Sequence, residues 1–248
     1  MSGRVSYLGG IVKDGLVLDL DAGKLDSYNR LGTTWNDISG RQNNGTLVNF
    51  SNPSPQTIWD SNNGGSIIFD GTNDYVNTSD IPFRFGTTFT ISVWFYWNGV
   101  SVSKNILSKR NGSPYNQYGI LISNDLVGNP GNKISFFARE DGSGGFSDTY
   151  FQYTLPSVGI YNAVGVMNTT SQNFYVNGVL TGSSANNYTS KTFNITGRNL
   201  LVGAALDETG TGILGPFNNK IYKAQVYNRA LSTSEVLQNY NALKGRYI

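Results

Sequence analysis

The chain has 248 residues, with 18 Lys and Arg against 16 Asp and Glu, a net charge of +2, and neither cysteine nor histidine. The balanced, scattered charge excludes a nucleic-acid footprint. The missing Cys and His exclude disulfides, thiolate or imidazole metal sites, cysteine nucleophiles and a Ser-His-Asp triad. Carboxylates, lysine and tyrosine remain for catalysis, and a metal would have to be a hard cation on oxygen ligands, calcium first.

In chain order, the opening "MSGRVSYLGGIVKDGLVLDLDAG" has no long apolar core and no small-residue cleavage site, so no signal peptide is expected. Residues 1–14 precede the first β-patterned run and are expected to form an arm that docks onto a neighbouring protein or a second copy. No stretch approaches 18 consecutive apolar residues, so no membrane insertion is expected. The run "FDGTNDYV" (69–76) packs Asp70, Asn73 and Asp74 around Gly71. Short polar side chains of this kind cap their own backbone, and the loop has too few oxygens for calcium by itself, so a corner between two strands is expected.

"FTISVWFYW" (89–97) alternates with period two. Phe89, Ile91, Val93, Phe95 and Trp97 share one face, while Thr90, Ser92, Trp94 and Tyr96 make an amphipathic aromatic second face. "KNILSKR" (104–110) is the densest basic stretch and reads as a solvated strand face. "YGILIS" (118–123) and "KISFFAR" (133–139) are further short strands. In "NFYVNGVLTG" (173–182), Asn177-Gly178 between two apolar runs predicts a two-residue type I′ hairpin. Asn98-Gly99 and Asn111-Gly112 are weaker turn signals.

One helix is expected, near 232–244. Ser232 and Glu235 have capping-box spacing, and Leu231 and Val236 can form the hydrophobic staple. Val236, Leu237, Tyr240 and Leu243 recur at helical spacing, and Gly245 supplies a stop. With 30 Gly, 15 Tyr, 13 Phe and only 14% charged residues, the composition is that of a turn-rich β protein. Nothing in the chain reads as a linker, so residues 15–248 are expected to form a single domain.

"SIIFDGTNDYV", "FTISVWFYW", "FYVNGVLTG" and "YKAQVYNRALSTSEV", in that order, resemble the concanavalin A-like jelly rolls of the laminin G-like and pentraxin-like group. The resemblance runs from about Gly15 to Lys244. It implies an all-β fold of two curved antiparallel sheets packed face to face, with one short C-terminal helix. The opening "GLVLDLDAG…GTTWNDISGRQNNGTL" resembles the version common in structural proteins of tailed bacteriophages.

The resemblance also implies where sites would lie. Glucanases of this fold carry Glu-x-Asp-x-x-Glu on one strand, which sets a nucleophile and an acid/base on one face. Glu140, Glu208 and Glu235 do not make that pattern, so no catalytic residue is expected, and a glycoside hydrolase or lyase is the remote alternative. In pentraxin-like relatives calcium lies in loops on one sheet face. By pattern, "LLVGAALDETGTG" (200–212) aligns with that region and offers Asp207 and Glu208. The partner loop "SKRNGSPYNQ" (108–117) offers Asn111 but sets Arg110 where an acid would help. A solvated loop is the competing reading. Tyr115, Tyr118 and Trp59, taken as exposed, are candidates with Asn111 for stacking on or binding a sugar; packing aromatics are the bland alternative. The resulting expectation is a non-enzymatic virion protein on the surface of a tailed-phage particle, a capsid decoration or a tail or fibre attachment protein. It would be homo-oligomeric, in contact with other virion proteins, and able to adhere to a host-surface glycan. A free-standing carbohydrate-binding lectin module is the alternative.

Overall fold

The computed structural model describes residues 9–51, 58–99, 103–110, 116–123, 132–140, 150–185 and 192–248. In chain order the strands are β1 (Leu16–Asp21), β2 (Thr34–Trp35), β3 (Gly45–Val48), β4 (Trp59–Asp60), β5 (Ser66–Ile68), β6 (Tyr75–Asn77), β7 (Phe89–Trp97), β8 (Lys104–Arg110) and β9 (Asn116–Ser123). They continue with β10 (Lys133–Glu140), β11 (Tyr150–Thr154), β12 (Gly159–Met167), β13 (Ser171–Val176), β14 (Val179–Ala185), β15 (Leu200–Val202), β16 (Ala205–Leu206), β17 (Ile213–Leu214) and β18 (Lys220–Tyr227). Helix α1 (Thr233–Tyr247) closes the chain.

Two antiparallel sheets make a sandwich. The first runs β14-β13-β12-β7-β18-β5-β4, with β1 pairing beside β5 on the same edge of β18. The second runs β11-β10-β9-β8-β15-β6-β3-β2, and β16-β17 form a small separate hairpin. The expected jelly-roll sandwich with one C-terminal helix is therefore present. Aromatic rings fill the space between the sheets. Phe89 lies 5.1 Å from Phe85 in a stacked pair, 4.7 Å from Tyr118 and 5.2 Å from Phe193 edge-on, the offset and edge geometries that ring quadrupoles favour.

The Asn177-Gly178 turn is of type I′, with positive φ at both residues (51° and 76°). Glycine is required at 178 for a second reason: a Cβ there would come within 2.9 Å of the Tyr240 ring on α1. Ser232 caps α1 as expected. Its hydroxyl accepts from the Glu235 amide at 3.3 Å, and the Glu235 carboxylate accepts from the Ser232 amide at 2.8 Å.

Two expectations are corrected. Gly245 does not stop the helix, which continues to Tyr247. Those two extra residues bring Arg246 onto Asp21 and bury Tyr247 against Trp94 and Tyr222, which outweighs the roughly 1 kcal/mol that glycine costs inside a helix. Next, "KNILSKR" is not a solvated face. A register irregularity between Asn105 and Leu107 sets Leu107 and Lys109 opposite Ile120 and Tyr118, so both point between the sheets, and Lys109 is fully buried.

The arm is described only in part. Residues 1–8 lie outside the described residues, and Gly10 and Val12 are bonded to the chain's own α1 and β18. The Val12 amide donates to Asn239 Oδ1 at 2.7 Å, the Val12 carbonyl accepts from the Tyr227 hydroxyl at 3.1 Å, and Gln238 Nε2 donates to the Gly10 carbonyl at 2.9 Å.

Helix α1 covers the outer face of the first sheet. Trp94 stacks parallel to Tyr240 at 5.6 Å and meets Tyr247 at 4.7 Å. Val164, Val166, Tyr175 and Tyr227 pack with Leu231 and Val236. The second face of β7 is thus buried too, except at the half-buried Tyr96, and the described part of that sheet offers no open broad face beneath the helix.

Candidate functional site

The corner at 69–76 closes on itself. Asp70 Oδ1 accepts from the amides of Thr72 (2.7 Å) and Asn73 (3.3 Å), and Asp74 Oδ2 accepts from the Asp70 amide (2.9 Å). Burial, with Asp70 facing it, pushes the Asp74 carboxyl above the usual aspartate value. Lys104 Nζ donates to the Gly71 carbonyl at 3.4 Å. A lysine already beside the loop opposes a cation there, so the corner is a structural turn.

The Asp207 loop is also self-contained. Asp207 Oδ1 accepts from Thr209 Oγ1 (2.8 Å) and from the amides of Gly210 (2.7 Å) and Thr211 (3.2 Å). These bonds, Thr209 first, hold its carboxyl below the usual range. Glu208 is exposed and lies 3.8 Å from the Arg110 guanidinium. Arg198 reaches the carbonyl of Thr209 at 3.1 Å. Two cations therefore already serve the loop that is the candidate for calcium. Asn111, the third member of that set, lies outside the described residues, and no group of three or more acidic side chains clusters among the described ones.

The aromatic set divides. Tyr115 lies outside the described residues. Tyr118 is not exposed: its ring is in the core between Phe85 and Phe89, its hydroxyl donates to the Phe83 carbonyl at 2.9 Å, and burial pushes that hydroxyl well above its ordinary pKa. Alternation along β9 sets it on the inner face with Ile120 and Ile122, so it cannot meet a ligand. Trp59 does remain half-open. Its Nε1 donates to the Ala22 carbonyl at 2.8 Å, and the Arg30 guanidinium carbon lies 4.1 Å from its ring centre.

Two buried ion clusters escaped the sequence reading. Lys109 Nζ donates to Asp80 Oδ1 at 2.6 Å and to the Asp80 carbonyl at 2.7 Å, and Arg84 and the Gly197 amide bond the same carboxylate. Burial pulls Lys109 down to about 8. Burial also raises Asp80, but the bonds from Arg84, Lys109 and Gly197 outweigh it and hold that carboxyl well below its usual value. In the second cluster Lys223 bridges Asp19 and Asp21, and Arg246 donates to Asp21. Each of these carboxylates is paired with at least one cation, which suits structural cross-links rather than proton transfer. Glu235 is likewise committed to Arg229 and Ser232. Glu140 ends β10 and its side chain lies outside the described residues.

The strand order, the aromatic inter-sheet core and the capped terminal helix agree with a wider relationship. Residues 70–237 match the family model described as "Concanavalin A-like lectin/glucanases superfamily". The chain belongs to that superfamily. Among solved structures, this concanavalin A-like chain is similar to domain 4 of AbnA, a GH43 extracellular arabinanase from Geobacillus stearothermophilus solved with arabinotriose. The identity is 16% and the TM-score 0.63, over 91% of this chain and 98% of that one. It is also similar to the binding domain of Paraclostridial Mosquitocidal Protein 1, at 14% identity and a TM-score of 0.61, over 93% of this chain but 52% of that one. The Ruminococcus gnavus IT-sialidase CBM40 bound to alpha2,6 sialyllactose shares 16% identity and a TM-score of 0.51, over 63% of this chain and 84% of that one. At these identities the likeness is one of fold. No curated protein sequence matches the chain significantly.

Proposed function

We propose that this chain is a non-catalytic carbohydrate-binding domain. The observation that carries the reading is the overlay, nearly end to end on both chains, with an arabinanase domain solved with arabinotriose. Two further features support it. The ion pairs at Asp80, Asp21 and Glu235 leave those carboxylates no proton to move, and Trp59 keeps an aromatic surface half-open on a rigid sheet edge. A glycan array of neutral and acidic oligosaccharides tests the reading: specific hits support it, and a blank array overturns it. Incubation with laminarin, agarose and alginate tests the absence of catalysis, and release of reducing sugar by the chain would overturn that part.

A narrower reading is that the domain is displayed on the surface of a tailed-phage particle, as a capsid decoration or a tail or fibre attachment protein, in several copies among other virion proteins. It is supported by the resemblance carried by Gly15 to Leu47. Mass spectrometry of purified virions tests it: peptides of this chain at structural abundance support display, and their absence from intact particles overturns it.

A further inference from the structure

Arg30 is set apart from the other described cations of the domain by three observations. First, it occupies the left-handed region, with φ of 66°, where a side chain beyond glycine is strained. Second, its guanidinium lies over the Trp59 ring at 4.1 Å. Third, among the described residues it pairs with no carboxylate. The nearest acid in sequence to its aromatic partner, Asp60, is already taken: Lys220 Nζ lies 2.6 Å from one oxygen, and Asn62 donates to the other through its amide and its side chain.

The loop that presents Arg30 is anchored. Tyr28 is fully buried, its amide donates to the Lys24 carbonyl at 2.7 Å and its hydroxyl to the Gly32 carbonyl at 3.4 Å. Asn29 Oδ1 accepts from the Leu31 amide at 3.0 Å. Trp59 is anchored too, through the Ala22 carbonyl and its packing on the core. Holding a guanidinium over an indole uses its weakly hydrated face and leaves its N–H edge free to bond. Such a fork, already positioned, matches two oxygens of one anion and loses little freedom on binding.

We propose that Arg30, held over Trp59, is the point at which the domain recognises the carboxylate or sulfate of an acidic glycan. This rests on the carbohydrate-binding reading and adds the charge class of the ligand. The anionic group takes the guanidinium edge, and the sugar ring attached to it lies against the open part of the indole.

Matched pairs that differ only in the anion test this: 3′-sialyllactose with lactose, oligogalacturonide with its methyl ester, and sulfated with unsulfated N-acetyllactosamine. At least one charged member should bind about tenfold or more tighter than its neutral twin, the factor a charge-assisted pair of hydrogen bonds supplies, and the advantage should shrink as salt is raised. Arg30→Gln should abolish the advantage, and Arg30→Lys, which keeps the charge without the fork, should keep only a small part of it. Arg30→Gly relieves the left-handed backbone, so it should melt no lower than the parent while losing the advantage, which separates recognition from folding. Equal binding of charged and neutral twins, or an advantage that survives Arg30→Gln, would overturn the proposal. Binding of neutral glycans alone overturns it and leaves the carbohydrate-binding reading standing. No binding to any glycan brings down both.

Discussion

Arg246 donates to both carboxylate oxygens of Asp21, at 2.7 Å and 2.5 Å, across 225 residues of sequence. The bond joins the last turn of α1 to the end of β1. The fit is tight enough that Gly23, beside it, has no room for a side chain: a Cβ would lie 1.6 Å from the Gly64 carbonyl and 1.9 Å from the guanidinium. With Lys223 bonding the same carboxylate, the two ends of the chain share one buried ion cluster.

Removing the acid leaves Arg246 without its carboxylate partner and Lys223 with Asp19 alone. Asp21→Asn should therefore destabilise the domain by about 3–5 kcal/mol, the range for breaking a buried pair. Burial raises the Asp21 carboxyl, but the bonds and charges of Arg246 and Lys223 outweigh it and leave the folded-state pKa below the ordinary value. Its contribution is thus present above the unfolded pKa and is lost as pH falls through the folded one. Denaturant melts from neutral pH downward check this. The parent should lose more stability on acidification than Asp21→Asn, and equal losses would show that the pair is unimportant.

Lys109 should act in the opposite pH range. Its folded pKa of about 8 lies below the ordinary lysine value, so between about 8 and 10 the unfolded chain holds the proton more often. Stability from this group therefore rises with pH across that window. Lys109→Met removes the rise and, by leaving Asp80 with Arg84 and the Gly197 amide alone, should cost about 1–3 kcal/mol at pH 7. Alkaline melts of the two proteins that run parallel would contradict this.

The helix start can be tested separately. Ser232→Ala should cost about 1 kcal/mol through the lost cap. The Arg229 guanidinium beside Glu235, aided by Ser232, holds that carboxyl down at about 2. Its contribution is full above the ordinary glutamate pKa and is lost progressively as pH falls from there through about 2, so Glu235→Gln should flatten that part of the acid limb. A Ser232→Ala protein as stable as the parent would mean that the cap is dispensable once α1 is packed.

Calcium should shift the melt little or not at all, because Arg110 and Arg198 already serve the Asp207 loop. A site that bound only the folded state would add about 2.7 kcal/mol at ~100 times its dissociation constant, easily seen against chelator. Asp207→Ala should lower the melting temperature equally with and without calcium, through the lost bonds to Thr209, Gly210 and Thr211. A large calcium-dependent shift that this substitution removes would establish a metal site.

What could be read from the chain alone was local. The Asn177-Gly178 turn, the Ser232–Glu235 capping box, the corner of Asp70 and Asp74 and the alternation in 89–97 depend on contacts within a few residues, and residue type determines those contacts directly. The sandwich was legible because alternation repeats along the whole chain and names the inner face of each strand. Tertiary structure decided everything that depends on which element covers which face. Trp94 reads as the outer side of β7 and is buried only because α1 lands there. Lys109 reads as solvated and is buried because a bulge turns it toward an aspartate 29 residues away. Tyr118 alternates with the core of its own strand, but whether that side faced solvent or the opposite sheet followed from the pairing of β9 with β8 and β10. Arg30 and Trp59 meet across a loop and a strand with no spacing rule to join them. Period two states that two faces differ, and only the packed fold states what lies against each.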